Sequence, residues 1–224
     1  MEQIQRDFIP AAGHDWVLPL YDPMMKLLGG DEARRTLVEG ARLNPGQRIL
    51  DIGCGTGSLL VLIKCLYPES AVLGVDPDPK ALARARRKAE KAFVSIHLDR
   101  GFSHNLPYGD ASIDRVLSSY MLHHLTADEK KQTLEEVRRV LRPGGLFCLL
   151  DFAGPECGDF SLLARLIHSS RHLKENSEER ILSLLLRAKF ADPKKVDERG
   201  ILFGHVRAKY YQASVSNAEQ QGHS

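Results

Sequence analysis

Two carboxylates and three glycines carry the strongest chemical signal in this 224-residue chain. Asp51 lies near the end of the apolar run Ile49-Leu50-Asp51-Ile52, and Gly53, Gly55 and Gly57 follow at alternate positions. Glycine tolerates positive φ and leaves the backbone open to a ligand, so this spacing makes a turn that a small molecule can approach closely. The spacing differs from the Gly-x-Gly-x-x-Gly that cradles a pyrophosphate, and no lysine of the nucleoside-triphosphate loop type accompanies it. Asp51 at the lip repels phosphate and favours a cation. The run Ala71-Val-Leu-Gly-Val-Asp76 places a second acid at the end of another apolar stretch. A carboxylate there has two acceptor oxygens for the two hydroxyls of a ribose. A cationic amino-acid end joined to a ribose describes S-adenosylmethionine.

These residues need a scaffold that brings strand ends together. Apolar runs alternate with helical periods: strands near 48–52, 71–76, 94–99, 113–118 and 146–152, and helices over 57–66, 79–91 and 127–141. Alternation of this kind implies a parallel sheet covered on both faces. Asp31 is placed to cap a helix reaching Arg42, with Ala33, Leu37, Val38 and Ala41 on its apolar face. Asn44-Pro45-Gly46 turns the chain into the first strand, and Arg142-Pro143-Gly144-Gly145 closes the helix that buries Leu134, Val137, Val140 and Leu141. Two helical patterns, around Leu162 to Ile167 and Ile181 to Leu186, precede extended segments near 195–199 and 205–213 that read as a hairpin. The division is an N-terminal cap (1–43), a cofactor-binding core (44–152), helices and a hairpin completing the same domain (153–214), and a polar tail (215–224).

Composition narrows the partners. A formal charge of +2, with 31 basic and 29 acidic residues, gives no reason to expect a nucleic acid. The basic run Lys80, Arg84, Arg86, Arg87, Lys88 and Lys91 reads as a solvated helix face. Cys54, Cys65, Cys148 and Cys157 form no Cys-x-x-Cys pair, which points to neither zinc nor disulfides, and no apolar run is long enough to span a bilayer. The expected location is the cytoplasm. Oligomeric state is not legible.

Six ordered motifs extend the reading: Asp-Ile-Gly-Cys-Gly-Thr-Gly from Asp51, Val-Asp-Pro at 75–77, Asn-Leu-Pro-Tyr at 105–108, Ser-Ile-Asp-Arg-Val at 112–116, Leu-His-His-Leu at 122–125 and Arg-Val-Leu-Arg-Pro-Gly-Gly at 139–145. Together they resemble class I S-adenosylmethionine-dependent methyltransferases, within the small-molecule group related to quinone-biosynthesis C-methyltransferases. The resemblance covers roughly residues 44 to 152. It implies a Rossmann-like, doubly wound α/β fold whose seven-stranded sheet has the order 3-2-1-4-5-7-6, with strand 7 antiparallel.

The resemblance also implies roles. Asp51, Gly53, Cys54 and Gly55 hold the methionine end, Asp76 the ribose, and Pro77 packs on adenine. The family's acid for the adenine amino group is absent: Gly101-Phe102-Ser103 stands there. Phe102 is then either a stacking ring or a plain packing residue, with Ser103 beside it and Asp99 as a poor substitute. Ser118 ends strand four at the cofactor, and Tyr21 resembles a tyrosine placed just before the domain in the quinone enzymes.

On the acceptor side stand His14, Trp16 and Tyr120. His123 and His124 are the candidate bases, since imidazole titrates near working pH; one packing on the cofactor and the other opening a helix is the structural alternative. His168 and His172, four apart, lack a third metal ligand, and Cys157 alone does not make a metalloid site. No metal is expected. The expected function is methyl transfer from S-adenosylmethionine, leaving S-adenosylhomocysteine, to a small molecule. A nicotinamide-dependent dehydrogenase and a non-catalytic binder of the same cofactor are the alternatives.

Overall fold

The computed structural model describes residues 29–152, 176–201 and 206–217. Thirteen elements follow in chain order: α1 (Gly30–Gly40), β1 (Arg48–Ile52), α2 (Ser58–Leu66), β2 (Ala71–Asp76), α3 (Pro79–Lys91), β3 (His97–Arg100), β4 (Ile113–Ser119), a 3₁₀ turn (Leu122–His124), α4 (Ala127–Val140), β5 (Leu141–Phe152), α5 (Glu178–Arg187), β6 (Ala191–Ile201) and β7 (Val206–Ser214). The sheet order is β3-β2-β1-β4-β5-β7-β6. β1 to β5 pair in parallel, and β7 runs antiparallel to both β5 and β6.

Strand alternation builds two cores. Ile49, Val72, Leu117 and Cys148 face one side with α1 and α2, whereas Leu50, Leu73, Val116 and Phe147 face the other with α4 and α5. Successive side chains on a strand leave on opposite faces, so a strand buried on both sides must be apolar throughout. That is why β1 and β2 read as continuous apolar runs.

The register places function at one edge. β1 and β2 align Asp51 with Gly74 and Ile52 with Val75, so both strands deliver their acids to the same end of the sheet. Helix starts follow at once. The side chain of Asp78 accepts from the Lys80 amide and, with Pro79 in the first turn, opens α3. Thr126 and Glu129 make a reciprocal capping box that opens α4 immediately after the histidine pair.

Three expectations are corrected. The cap of α1 is Gly29, in the left-handed conformation at φ 85°, and no side chain caps it; Asp31 lies in the first turn and pairs with Arg34 at 3.3 Å. β3 begins at His97, three residues later than its apolar pattern suggests, because Phe93 turns left-handed at φ 54° after α3 and the chain regains the sheet only at His97. The hairpin is longer than expected, with β6 beginning at Ala191. His14, Trp16, Tyr21, Cys157, His168 and His172 lie outside the described residues. Among the described residues, no helix is long and apolar enough to cross a membrane.

Candidate functional site

A cavity of about 280 Å³ opens at the carboxyl ends of β1, β2 and β4. In a doubly wound sheet this is where the strand order reverses and ligands bind. Its floor is the glycine turn. Gly53, Gly55 and Gly57 all take left-handed φ, at 67°, 52° and 75°. A Cβ on Gly57 would sit 2.7 Å from the Cβ of Ala85, so glycine here also lets α3 pack against the turn. The amides of Gly53 and Cys54 donate to the Val75 carbonyl at 2.8 and 3.1 Å, tying the turn to β2.

Asp76 completes the floor. Its carboxylate accepts from the Gly55 amide at 2.8 Å and the Asp78 amide at 2.9 Å, and it lines the cavity. Burial pushes its carboxyl above the ordinary range, against the pull of those two amides. Each carboxylate oxygen has acceptor capacity left for a hydroxyl. Pro77 lines the same wall.

Asp51 is different. It is 1% exposed, does not line the cavity, and neither carboxylate oxygen has a hydrogen-bond partner among the described residues. Burial raises its carboxyl well above the usual range; Arg34 pulls it down and Asp76 pushes it up. A buried carboxylate with no donor is costly, and a cation brought to the cavity floor would offset that cost. Arg34, on α1, lines the cavity with a side chain 7% exposed and, among the described residues, a single 3.3 Å bond to the exposed Asp31. An acceptor without a donor and a guanidinium with donors to spare suit a zwitterionic amino-acid group. Sequence reasoning missed Arg34. The available signal was its position four residues before Val38 and seven before Ala41, on the buried face of α1.

The opposite wall replaces the absent acid with aromatic rings. Phe102 stacks on His104 with centroids 5.3 Å apart, and both line the cavity. Ser103 also lines it, but its hydroxyl is shared with Thr133 at 2.9 Å. Asp99 is engaged elsewhere, by Tyr108 at 2.9 Å and His97 at 3.1 Å. The loop is pinned from α4: Glu136 accepts from the Leu106 amide, and Arg139 donates to the carbonyls of Leu106 and Tyr108. Cys54 lines the floor, but burial and then the charges of Asp51 and Asp76 raise its thiol well above the usual range and leave it protonated.

The end of β4 supplies the remaining wall, with one correction. Ser118 is fully buried and does not line the cavity; Ser119 does. Strand alternation turns Ser118 to the other face. Tyr120 follows in the left-handed region at φ 56°, its ring 4.7 Å from Phe152. Such a backbone costs of order 1–3 kcal/mol and persists where the surroundings enforce it; here the Tyr120 amide donates to Leu150 at 2.8 Å. His124 lines the cavity, and the His123 ring packs against it with ring centroids 4.0 Å apart. Nδ1 of His123 lies 2.6 Å from a carboxylate oxygen of Asp151, a pairing across 28 residues that no local motif announces.

Comparison with known proteins follows this geometry. The family model described as a methyltransferase domain matches residues 49–145. The chain is 36% identical over 152 residues to a demethylmenaquinone methyltransferase of Thermus thermophilus, a match covering 66% of this chain and 68% of that protein. It is 34% identical over 144 residues to an uncharacterised methyltransferase of Synechocystis sp. and 35% identical over 153 residues to a demethylmenaquinone methyltransferase of Deinococcus radiodurans. Those two matches cover 63% and 67% of this chain but only 65% and 63% of the relatives, just under two thirds of their length. Among solved structures, Haemonchus contortus phosphoethanolamine N-methyltransferase 2 bound to S-adenosyl-L-methionine superposes with a TM-score of 0.76 over 92% of this chain and 58% of that one, at 17% identity. The YcgJ protein of Bacillus subtilis gives 0.69 over 84% and 99%, at 19% identity. At such identities the likeness is one of fold.

Proposed function

The chain belongs to the S-adenosylmethionine-dependent methyltransferase family, and on that premise we propose that it transfers the cofactor's methyl group to a small-molecule acceptor bearing an acidic O–H, the ring of a demethylated quinol being the first to test. One observation carries the reading. The glycine turn brings Asp76, with acceptor capacity for a diol, to the cavity floor, with Arg34 in the same lining and Asp51, unpartnered among the described residues, buried beside them. The Asp76 oxygens suit the ribose hydroxyls, Arg34 the amino-acid carboxylate, and the field of Asp51 its ammonium. Phe102 and His104 offer ring faces to the base in place of the missing acid.

When bound, S-adenosylmethionine supplies a methyl carbon made electrophilic by its sulfonium; the acceptor–methyl bond forms as the methyl–sulfur bond breaks, and the electron pair stays on sulfur. The chain itself aligns the two partners and keeps water away. A quinol acceptor must also lose its O–H proton; the electron pair left on that oxygen delocalises onto the ring carbon that takes the methyl, and that carbon's own proton then shifts to the oxygen and restores the aromatic ring. His123 and His124 are the groups offered for that proton, beside the cavity at the end of β4. The demethylmenaquinone methyltransferases among the relatives support a quinol ring.

Incubation with methyl-labelled S-adenosylmethionine and 1,4-naphthohydroquinone, alongside a cell metabolite extract, tests the reading. Label in a small molecule is the expected result. Label in neither, from protein that binds the cofactor, would refute transfer and leave a binding protein.

A further inference from the structure

Behind the histidine pair lies a buried chain of four polar side chains from four separate parts of the fold. His123 on the 3₁₀ turn, Asp151 at the end of β5, Asn176 just before α5 and Lys130 on α4 are 8%, 1%, 1% and 1% exposed. Lys130 sits four residues before Leu134 and seven before Val137, on the face of α4 that fills the core. A leucine there would serve packing alone, and burying an ammonium is costly unless it is paired. Its presence calls for a role beyond packing.

The bonds run in one direction only. Lys130 Nζ can only donate, and it donates to Asn176 Oδ1 at 2.9 Å. The Asn176 amide is thereby oriented, so its Nδ2 faces Asp151 at 3.2 Å and the Phe152 carbonyl at 3.4 Å. Asp151 receives four donors: this amide, the Phe152 amide at 2.8 Å, the His123 amide at 2.9 Å and His123 Nδ1 at 2.6 Å. Burial alone would push the Asp151 carboxyl up; the His123 imidazole and the other donors bring it below its ordinary range, so it stays ionised. An ionised carboxylate only accepts, and Nδ1 of His123 therefore carries the proton. The same carboxylate holds the residue's backbone and its ring, which fixes the ring's orientation.

We propose that Asp151, Asn176 and Lys130 are positioning residues that hold His123 as the proton acceptor of the reaction, with Nδ1–H locked to Asp151 and Nε2 left to take the acceptor's proton. This rests on the methyl-transfer reading above. The acceptor's O–H bond breaks and its proton passes to Nε2; the electron pair left on oxygen delocalises onto the ring carbon that bonds the methyl group, that carbon's own proton shifts to the oxygen, and the positive charge on the imidazole is balanced by Asp151. His123 Nε2 makes no hydrogen bond among the described residues, and the ring is flanked by His124 and, edge-on at 4.9 Å, by Phe152. His124, which lines the cavity, is then a wall of the site and not its base.

The test is the tautomer of His123, read by long-range ¹H–¹⁵N correlation on the full chain carrying ¹⁵N-histidine, with His123→Gln assigning the signals. The expected wild-type spectrum shows His123 protonated at Nδ1 with a strongly downfield Nδ1 proton. Asp151→Asn should return the ring to the commoner Nε2–H form. Lys130→Met, which removes only a charged end from a buried stem, should release the Asn176 amide and move the downfield proton upfield with the backbone spectrum otherwise kept. An Nε2–H tautomer in the wild type, or a His123 signal unmoved in Lys130→Met, overturns the proposal. Calorimetry with S-adenosylmethionine on the same samples separates the two claims. Cofactor binding in all variants beside a wrong tautomer sinks the positioning chain alone, whereas no binding in the wild type sinks the methyl-transfer reading instead.

Discussion

Replacing Asp76 with alanine removes the carboxylate that the glycine turn and the start of α3 share. It is 8% exposed and accepts from two backbone amides at 2.8 and 2.9 Å, so its position is tightly held. A hydrogen bond to a charged group contributes about 1.5–3 kcal/mol. At about 1.4 kcal/mol per decade, losing one to a ribose hydroxyl weakens binding roughly 10- to 150-fold. The alanine variant also strands the Gly55 and Asp78 amides, which costs stability, so Asp76→Asn is the control: it keeps the shape and one oxygen, and its loss of affinity should be the smaller. Titration calorimetry with S-adenosylhomocysteine reads both, after urea denaturation has shown each variant folded. An alanine variant that is folded and binds with the wild-type constant would refute the assignment of Asp76 to the ribose.

Other predictions follow from the same floor. Gly57→Ala combines a left-handed φ of 75° with a Cβ 2.7 Å from that of Ala85, and should lose about 3 kcal/mol in urea denaturation. Arg34→Met should weaken binding of the cofactor about tenfold in calorimetry while shifting the melting temperature little, because its hydrogen bond among the described residues goes to an exposed partner. The Asp51 carboxyl is raised by burial, so its contribution to stability is present below the unfolded value of about pH 4 and is lost as pH rises through the folded one. Asp51→Asn should therefore melt above the wild type at pH 8, with the gap closing towards pH 4, and should bind the cofactor more weakly.

The parts of the fold that were legible in sequence were those set by local pattern. Ile49 to Ile52 and Val72 to Val75 are buried on both faces of the sheet, and their apolar runs, interrupted only by Asp51 and Gly74, mark β1 and β2 to the residue. β3 was misjudged by three residues because Val94 and Ile96 look like strand residues but follow the left-handed turn at Phe93. At the site, Asp76, Pro77 and the glycines were legible because a motif of a few residues carries them. Arg34, His104 and the pairing of His123 with Asp151 were not, because each depends on which segments the fold brings together: Arg34 reaches the cavity from a different helix, and Asp151, at the end of β5, meets His123 across 28 residues that include α4. Ser118 is buried on one face of β4 while its neighbour Ser119 lines the cavity, a difference of strand face that the motif around the strand end does not carry.

The central claim is that the cavity floor holds a sulfonium nucleoside, and side-by-side calorimetry of the full chain with S-adenosylmethionine, S-adenosylhomocysteine and NAD tests it most directly. Saturable binding of the two adenosyl ligands, weakened in Asp76→Ala, and no binding of NAD are the expected results. Tight NAD binding without either adenosyl ligand would contradict it.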